Sequence, residues 1–139
     1  MAVRRCLRER FTLSDRGVTV AVVGDGHTPR TAALFAFRSV WQAVSIDPNL
    51  RDKQWKVERL TCYPRRVEDV ALRFDRAVVV GVHSHASLAT TLRRITAADR
   101  AVVWIPCCVP VDIETPPDQD FVDPGIWSPQ NRVMIWESI

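Results

Sequence analysis

No apolar stretch of this sequence reaches the roughly 18 to 20 residues that a membrane-spanning helix needs. Nor does the chain open like a secretory leader, because the run from Met1 to Arg10 carries charges where an apolar segment would stand. The expectation is an intracellular, cytoplasmic protein with no membrane partner. Cysteine is sparse: Cys6, Cys62, Cys107 and Cys108 lack the spacing of a secreted disulfide scaffold. The neighbours Cys107 and Cys108 are poorly placed to bond to each other, so free thiols are expected. Lysine is nearly missing, Lys53 and Lys56 being the only two, so arginine carries the positive charge. No GxxxxGK[ST] segment occurs, which excludes a P-loop. What remains is ordinary for a globular chain: 139 residues, 47% hydrophobic and 25% charged, suited to one domain over 1–139. The net charge of +3 hides an asymmetry, since residues 1–66 hold 13 basic and 6 acidic side chains and residues 67–139 hold 6 and 10. A basic front half is a candidate surface for nucleic acid.

Short runs of Val, Ile and Ala alternate with segments of helical spacing, the pattern of an α/β fold. Strands are expected over Val18–Val23, Trp41–Ile46, Lys56–Cys62, Ala77–Val82, Ala101–Ile105 and Arg132–Trp136. Their continuously apolar character suits a mostly parallel sheet of about six strands covered by helices on both faces. Helices are expected over Ala2–Arg10, Pro29–Ser39, Val67–Phe74 and Ser87–Ile95. Ala32, Ala33, Ala36 and Phe37 would give the second an apolar stripe, as Leu88, Leu92 and Ile95 would the last. The segment from Pro106 to Asn131, rich in proline and acid, reads as a long wrapping loop.

The first strand runs into Val23-Gly24-Asp25-Gly26-His27-Thr28-Pro29. Glycines permit a tight turn and a close ligand approach, and Thr28 could cap a helix that Pro29 begins. Free amides and the helix dipole would then face a crevice. The second strand ends in Ser45-Ile46-Asp47-Pro48, a carboxylate 23 residues past Gly24, about the spacing at which dinucleotide folds hold a ribose. Asp47 could equally be a turn-former before proline. Asp25 inside the turn disfavours pyrophosphate, and Pro29 stands where NAD folds want a third glycine, whereas a cationic cofactor would welcome acids.

On these residues the chain resembles the class I S-adenosylmethionine-dependent methyltransferases over about residues 17–137. The resemblance implies a Rossmann-like three-layer sandwich that binds S-adenosyl-L-methionine. It implies a turn at Gly24, Asp25, Gly26 and His27 under the methionine part, Asp47 on the ribose with Ile46 and Pro48 beside the adenosine, and Glu68 or Asp69 toward the adenine. The loop Gly81-Val82-His83-Ser84-His85 would face the transferred methyl, with His83 or His85 as a base. The segment from Val82 to Leu88 with the later Cys107-Cys108 is similar to a methyltransferase-like group having His-x-Cys-Gly-x-Leu and Cys-Cys, although His85 and Ala86 replace its Cys and Gly. The family's final hairpin is represented in the expected elements by one strand.

His83, His85, Cys107 and Cys108 form a possible N/S ligand set for zinc, but HxH and CC are not standard finger spacings. Cys107 and Cys108 as small buried hydrophobes at a strand end is the preferred reading, with no metal assigned. Arg4, Arg5, Arg8 and Arg10 in a basic helix or arm over 1–16, with Arg51, Lys53, Lys56, Arg65 and Arg66, could touch phosphates or form a solvated face. Among the five tryptophans Trp127 is expected to be exposed. The leading expectation is a methyltransferase acting on RNA or a nucleic-acid-associated substrate, with a homo-oligomer or partner subunit adding recognition surface. The rival is a catalytically inactive methyltransferase-like scaffold within an RNA-associated or viral assembly.

Overall fold

A computed structural model describes residues 11–51 and 55–139. The helix expected over Ala2–Arg10, the basic arm's four arginines and Lys53 lie outside the described residues. Among the described residues, seven strands, two α-helices and one 3-10 turn follow in the order β1 (Val18–Val23), α1 (Arg30–Arg38), β2 (Gln42–Ile46), β3 (Leu60–Tyr63), the turn Val67–Asp69, β4 (Leu72–Val82), α2 (Leu88–Arg94), β5 (Ile95–Ile105), β6 (Gln119–Val122) and β7 (Arg132–Trp136). They form one mixed sheet in the order β3-β2-β1-β4-β5-β7-β6. Strands β1 to β5 pair in parallel, and β7 runs antiparallel to both β5 and β6. No described helix is long and apolar enough to cross a membrane.

Every residue of β1 is buried, which explains its unbroken apolar sequence. Val18, Val20 and Val22 pack on one face with Ala32, Phe35 and Ala36 of α1. Ala21 and Val23 pack on the other with Val67, Val70 and Leu88. The period of two in a strand thus serves two cores at once. Trp41 joins the first core, stacked on Phe35 with ring centroids 5.8 Å apart, and its indole N–H donates to the Thr12 carbonyl at 2.8 Å.

Several expected elements change. The helix expected over Val67–Phe74 is a single 3-10 turn, and Leu72 to Phe74 already belong to β4. Leu72 and Phe74 are half-buried between exposed Arg73 and Asp75, a period of two that a strand satisfies and a helix does not. By the same alternation β5 starts at Ile95 rather than Ala101. The third strand occupies Leu60–Tyr63 instead of Lys56–Cys62. In α1 the stripe is rotated: Phe35 is buried, whereas Phe37 is 72% exposed. The stretch expected as one loop holds β6, which completes a β6–β7 hairpin and brings the sheet to seven strands rather than six. Trp127 is fully exposed, as expected.

The helix α2 passes into β5 without a loop. Arg100 makes this joint possible. Its guanidinium donates to the carbonyls of Leu92 and Ile95, at 2.7 and 2.6 Å, and to that of Ile139 at 2.7 Å. The first two bonds satisfy acceptors that the end of α2 leaves open. Partial burial of the guanidinium lowers its proton affinity from the ordinary arginine value.

Candidate functional site

The sheet reverses its winding between β1 and β4, and ligands of open α/β sheets gather at the carboxyl ends beside such a point. A cleft of about 510 Å³ lies there, lined by residues from the ends of β1, β2 and β4 and from the 3-10 turn. That size falls in the range of small-molecule sites, roughly 300 to 1,000 Å³.

Gly24 and Gly26 both adopt the left-handed backbone, with φ of 83° and 81°. Gly24 also lies against the next strand's loop, since a Cβ there would sit 2.7 Å from Ser84 Oγ and 3.0 Å from its Cα. Glycine therefore lets the loops after β1 and β4 touch. The Gly24 amide donates to the Ile46 carbonyl at 2.9 Å, so it belongs to the sheet rather than to a ligand.

Asp25 turns away from the cleft. Its Oδ1 accepts from the Thr31 amide at 2.9 Å, and its Oδ2 accepts from the Ala32 amide and the Ser45 hydroxyl, both at 3.1 Å. A carboxylate thus caps α1, where Thr28 was expected to do so, and neutralises the positive helix end. Two amides expected to point into the crevice are consumed. Burial and the Asp25 charge together push the nearby Cys62 thiol up.

Asp47 is 7% exposed and lines the cleft at the end of β2. Its Oδ2 accepts from the Gly26 amide at 2.9 Å and its Oδ1 from the Asn49 amide at 2.7 Å. Each oxygen keeps a second lone pair for a hydroxyl donor. The turn-forming and ligand-holding readings of Asp47 are compatible.

Of the residues singled out in the sequence, Gly24, Ile46, Asp47, Pro48, Glu68, His83 and His85 line the cleft together. Asp25, Gly26, His27 and Asp69 do not, and His27 Nδ1 instead lies 3.0 Å from the Asn49 carbonyl. Sequence reasoning passed over Asn49 as a cleft residue; Arg66, Val67 and Ser84, also in the lining, were placed there only as members of the loops after the third and fourth strands, with no role of their own in the cleft. Ser84, 2% exposed, becomes visible only through its packing on Gly24. His83 has a φ of 52°, a strained value for a residue with a side chain. Its Nδ1 is buried and has no hydrogen-bond partner among the described residues. The two histidines separate: His83 is half-buried in the cleft wall, and His85 is exposed beside Cys107 and Cys108. The cysteines themselves are half-buried and exposed, so they are not the buried hydrophobes expected.

No family model and no curated protein matches the chain. The solved structures similar to it include a provisionally assigned type II methyltransferase from Anaeromyxobacter dehalogenans, at 19% identity and a TM-score of 0.45. The alignment covers 88% of this chain and 49% of that one, so the chain spans about half of its neighbour's length.

Proposed function

We propose that the chain is an S-adenosylmethionine-dependent methyltransferase acting on RNA or a nucleic-acid-associated substrate. One observation carries this reading: a buried acid, Asp47, lines a cleft of about 510 Å³ at the reversal of the sheet, opposite the β4 loop that bears two histidines. The residues fit the cofactor. The spare lone pairs of Asp47 accept from ribose hydroxyls, Ile46 and Pro48 give the adenosine an apolar wall, and Glu68 adds a negative charge that suits a cation. When bound, S-adenosylmethionine supplies a methyl group made electrophilic by its sulfonium. The chain's own part is alignment: Gly24 and Ser84 hold the two loops together, which keeps the β4 loop facing the cleft. The His83 imidazole, which lines the cleft, accepts the proton that an acceptor hydroxyl or amine gives up. The exposed Arg51, Arg65 and Arg66 on the same half of the chain provide phosphate contacts.

The engagement of Asp25 by α1 favours a second reading, a cofactor-free scaffold, because the turn then offers no carboxylate to an ammonium group. Calorimetric titration with S-adenosylmethionine and, separately, with NAD distinguishes the two. Micromolar binding of S-adenosylmethionine alone, about −8 kcal/mol, is the expected result. Asp47→Ala should then weaken it by at least about 1.5 kcal/mol, the scale of a hydrogen bond to a charged group. Absence of binding, or an affinity indifferent to Asp47→Ala, would overturn the reading.

A further inference from the structure

Beside the cleft, the ends of β4 and β5 bring together three side chains that the methyl-transfer reading leaves unused. His85 Nε2 lies 3.9 Å from Cys107 Sγ and 3.9 Å from Cys108 Sγ, and all three atoms fall within 4.8 Å of one another. We propose that His85, Cys107 and Cys108 bind a zinc ion as three protein ligands with a fourth position open.

The distances suit the ion. Zinc holds thiolate sulfur at about 2.3 Å and imidazole nitrogen at about 2.0 Å, so a tetrahedral site separates the two by about 3.6 Å. A contraction of a few tenths of an ångström around an ion would bring the imidazole to that spacing from each sulfur, and the two sulfurs, no more than 4.8 Å apart, would close to about 3.8 Å. Adjacent cysteines usually point to opposite sides of an extended strand. Here β5 ends at Ile105, Pro106 and Cys107 follow outside the strand, and the backbone bends at Cys108 and Val109, which lets both sulfurs approach one imidazole. His83 stays outside the cluster, so the four-residue set suggested by the sequence reduces to three.

Soft sulfur with imidazole selects zinc over the hard divalent cations. Two thiolates also balance its charge. The open position has a place to face: His85 lines the first cleft, while Cys107 and Cys108 line a second of about 700 Å³ between the β5 loop and the β6–β7 hairpin. An ion there would sit on the seam between the two and could take a water or an acceptor's lone pair as its fourth ligand. With His85 holding metal, His83 is left as the base.

Tag-free, reduced protein is titrated with cobalt(II) and then with zinc, following the thiolate-to-cobalt charge-transfer absorption. The expected result is one equivalent bound, with the absorption displaced by zinc. Cys107→Ser, Cys108→Ser and His85→Ala should each weaken binding at least about tenfold, while Cys62→Ser binds like the parent. Unchanged circular dichroism of the variants separates lost ligation from lost folding. Less than a tenth of an equivalent of cobalt or zinc bound at micromolar concentrations would overturn the site, as would binding indifferent to all three substitutions. The result is independent of whether S-adenosylmethionine binds.

Discussion

The two ends of the sheet are built on opposite principles. At the amino end of β1, charges are matched and carbonyls covered: Arg76 pairs with Asp15 and with Asp99, its guanidinium lies 5.1 Å from the Phe11 ring centroid, and Arg100 closes three carbonyls. At the carboxyl end, glycines stand in left-handed conformations, His83 is strained with a buried Nδ1 that has no partner among the described residues, and Asp47, His85, Cys107 and Cys108 line the two clefts. One end is closed by ion pairs and capped carbonyls, and the other carries the clefts on which the proposed function rests. If that proposal holds, substitutions at the two ends should separate stability from binding.

The largest effect is expected at the carboxyl end. Gly24→Ala adds a Cβ at 2.7 Å from Ser84 Oγ in a backbone that disfavours side chains. Overpacking and positive φ together should cost about 3 kcal/mol. The urea midpoint measures the loss, and ligand titration should fail as the two loops part. Arg100→Leu comes next, at the opposite end. Losing its hydrogen bonds to the α2 and terminal carbonyls should cost about 2 kcal/mol in the same urea assay and leave ligand affinity unchanged. Equal damage to binding would break the distinction between the ends. Gly26→Ala isolates the backbone term, because no atom lies within 4 Å of its would-be Cβ. A loss of about 1 kcal/mol is expected from the left-handed conformation alone.

The smallest effect is a pH dependence at the N-terminus of α2. Asp112 accepts from the Ser87 hydroxyl and the Ala89 amide. Burial pushes its carboxyl up, but these hydrogen bonds outweigh that and hold it below its ordinary value. A depressed folded value means that the contribution is present above the unfolded carboxylate range, about pH 3.9, and is lost as pH falls through the lower folded value. The melting temperature of the parent should therefore fall more steeply than that of Asp112→Asn in acid below about pH 4.

The sequence disclosed most of the central sheet because buried strands need apolar residues on both faces, and the bounds of β1 and β7 read directly from such runs. It disclosed the glycine turn and the spacing to Asp47, which both line or border the cleft. It misjudged segments whose period is two but whose composition is mixed. Leu72 to Arg76 carries charges at Arg73, Asp75 and Arg76, Ile95 to Arg100 is mostly small or polar and ends in Asp99 and Arg100, and β6 lies among prolines. In those places strand formation depends on a neighbour whose position no local pattern reveals.

Local chemistry along the chain determined which residues form strands, where the backbone must turn through glycine, and that an acid follows the second strand. Only the tertiary structure decided that Asp25 would cap a helix while Asp47 lines the cleft, because hydrogen-bond partners 2 to 21 residues away hold the two carboxylates. Only it brought His85 to Cys107 and Cys108, 22 and 23 residues further on. Parallel pairing of β4 with β5 sets their ends side by side, and that register is a property of the whole sheet rather than of either segment.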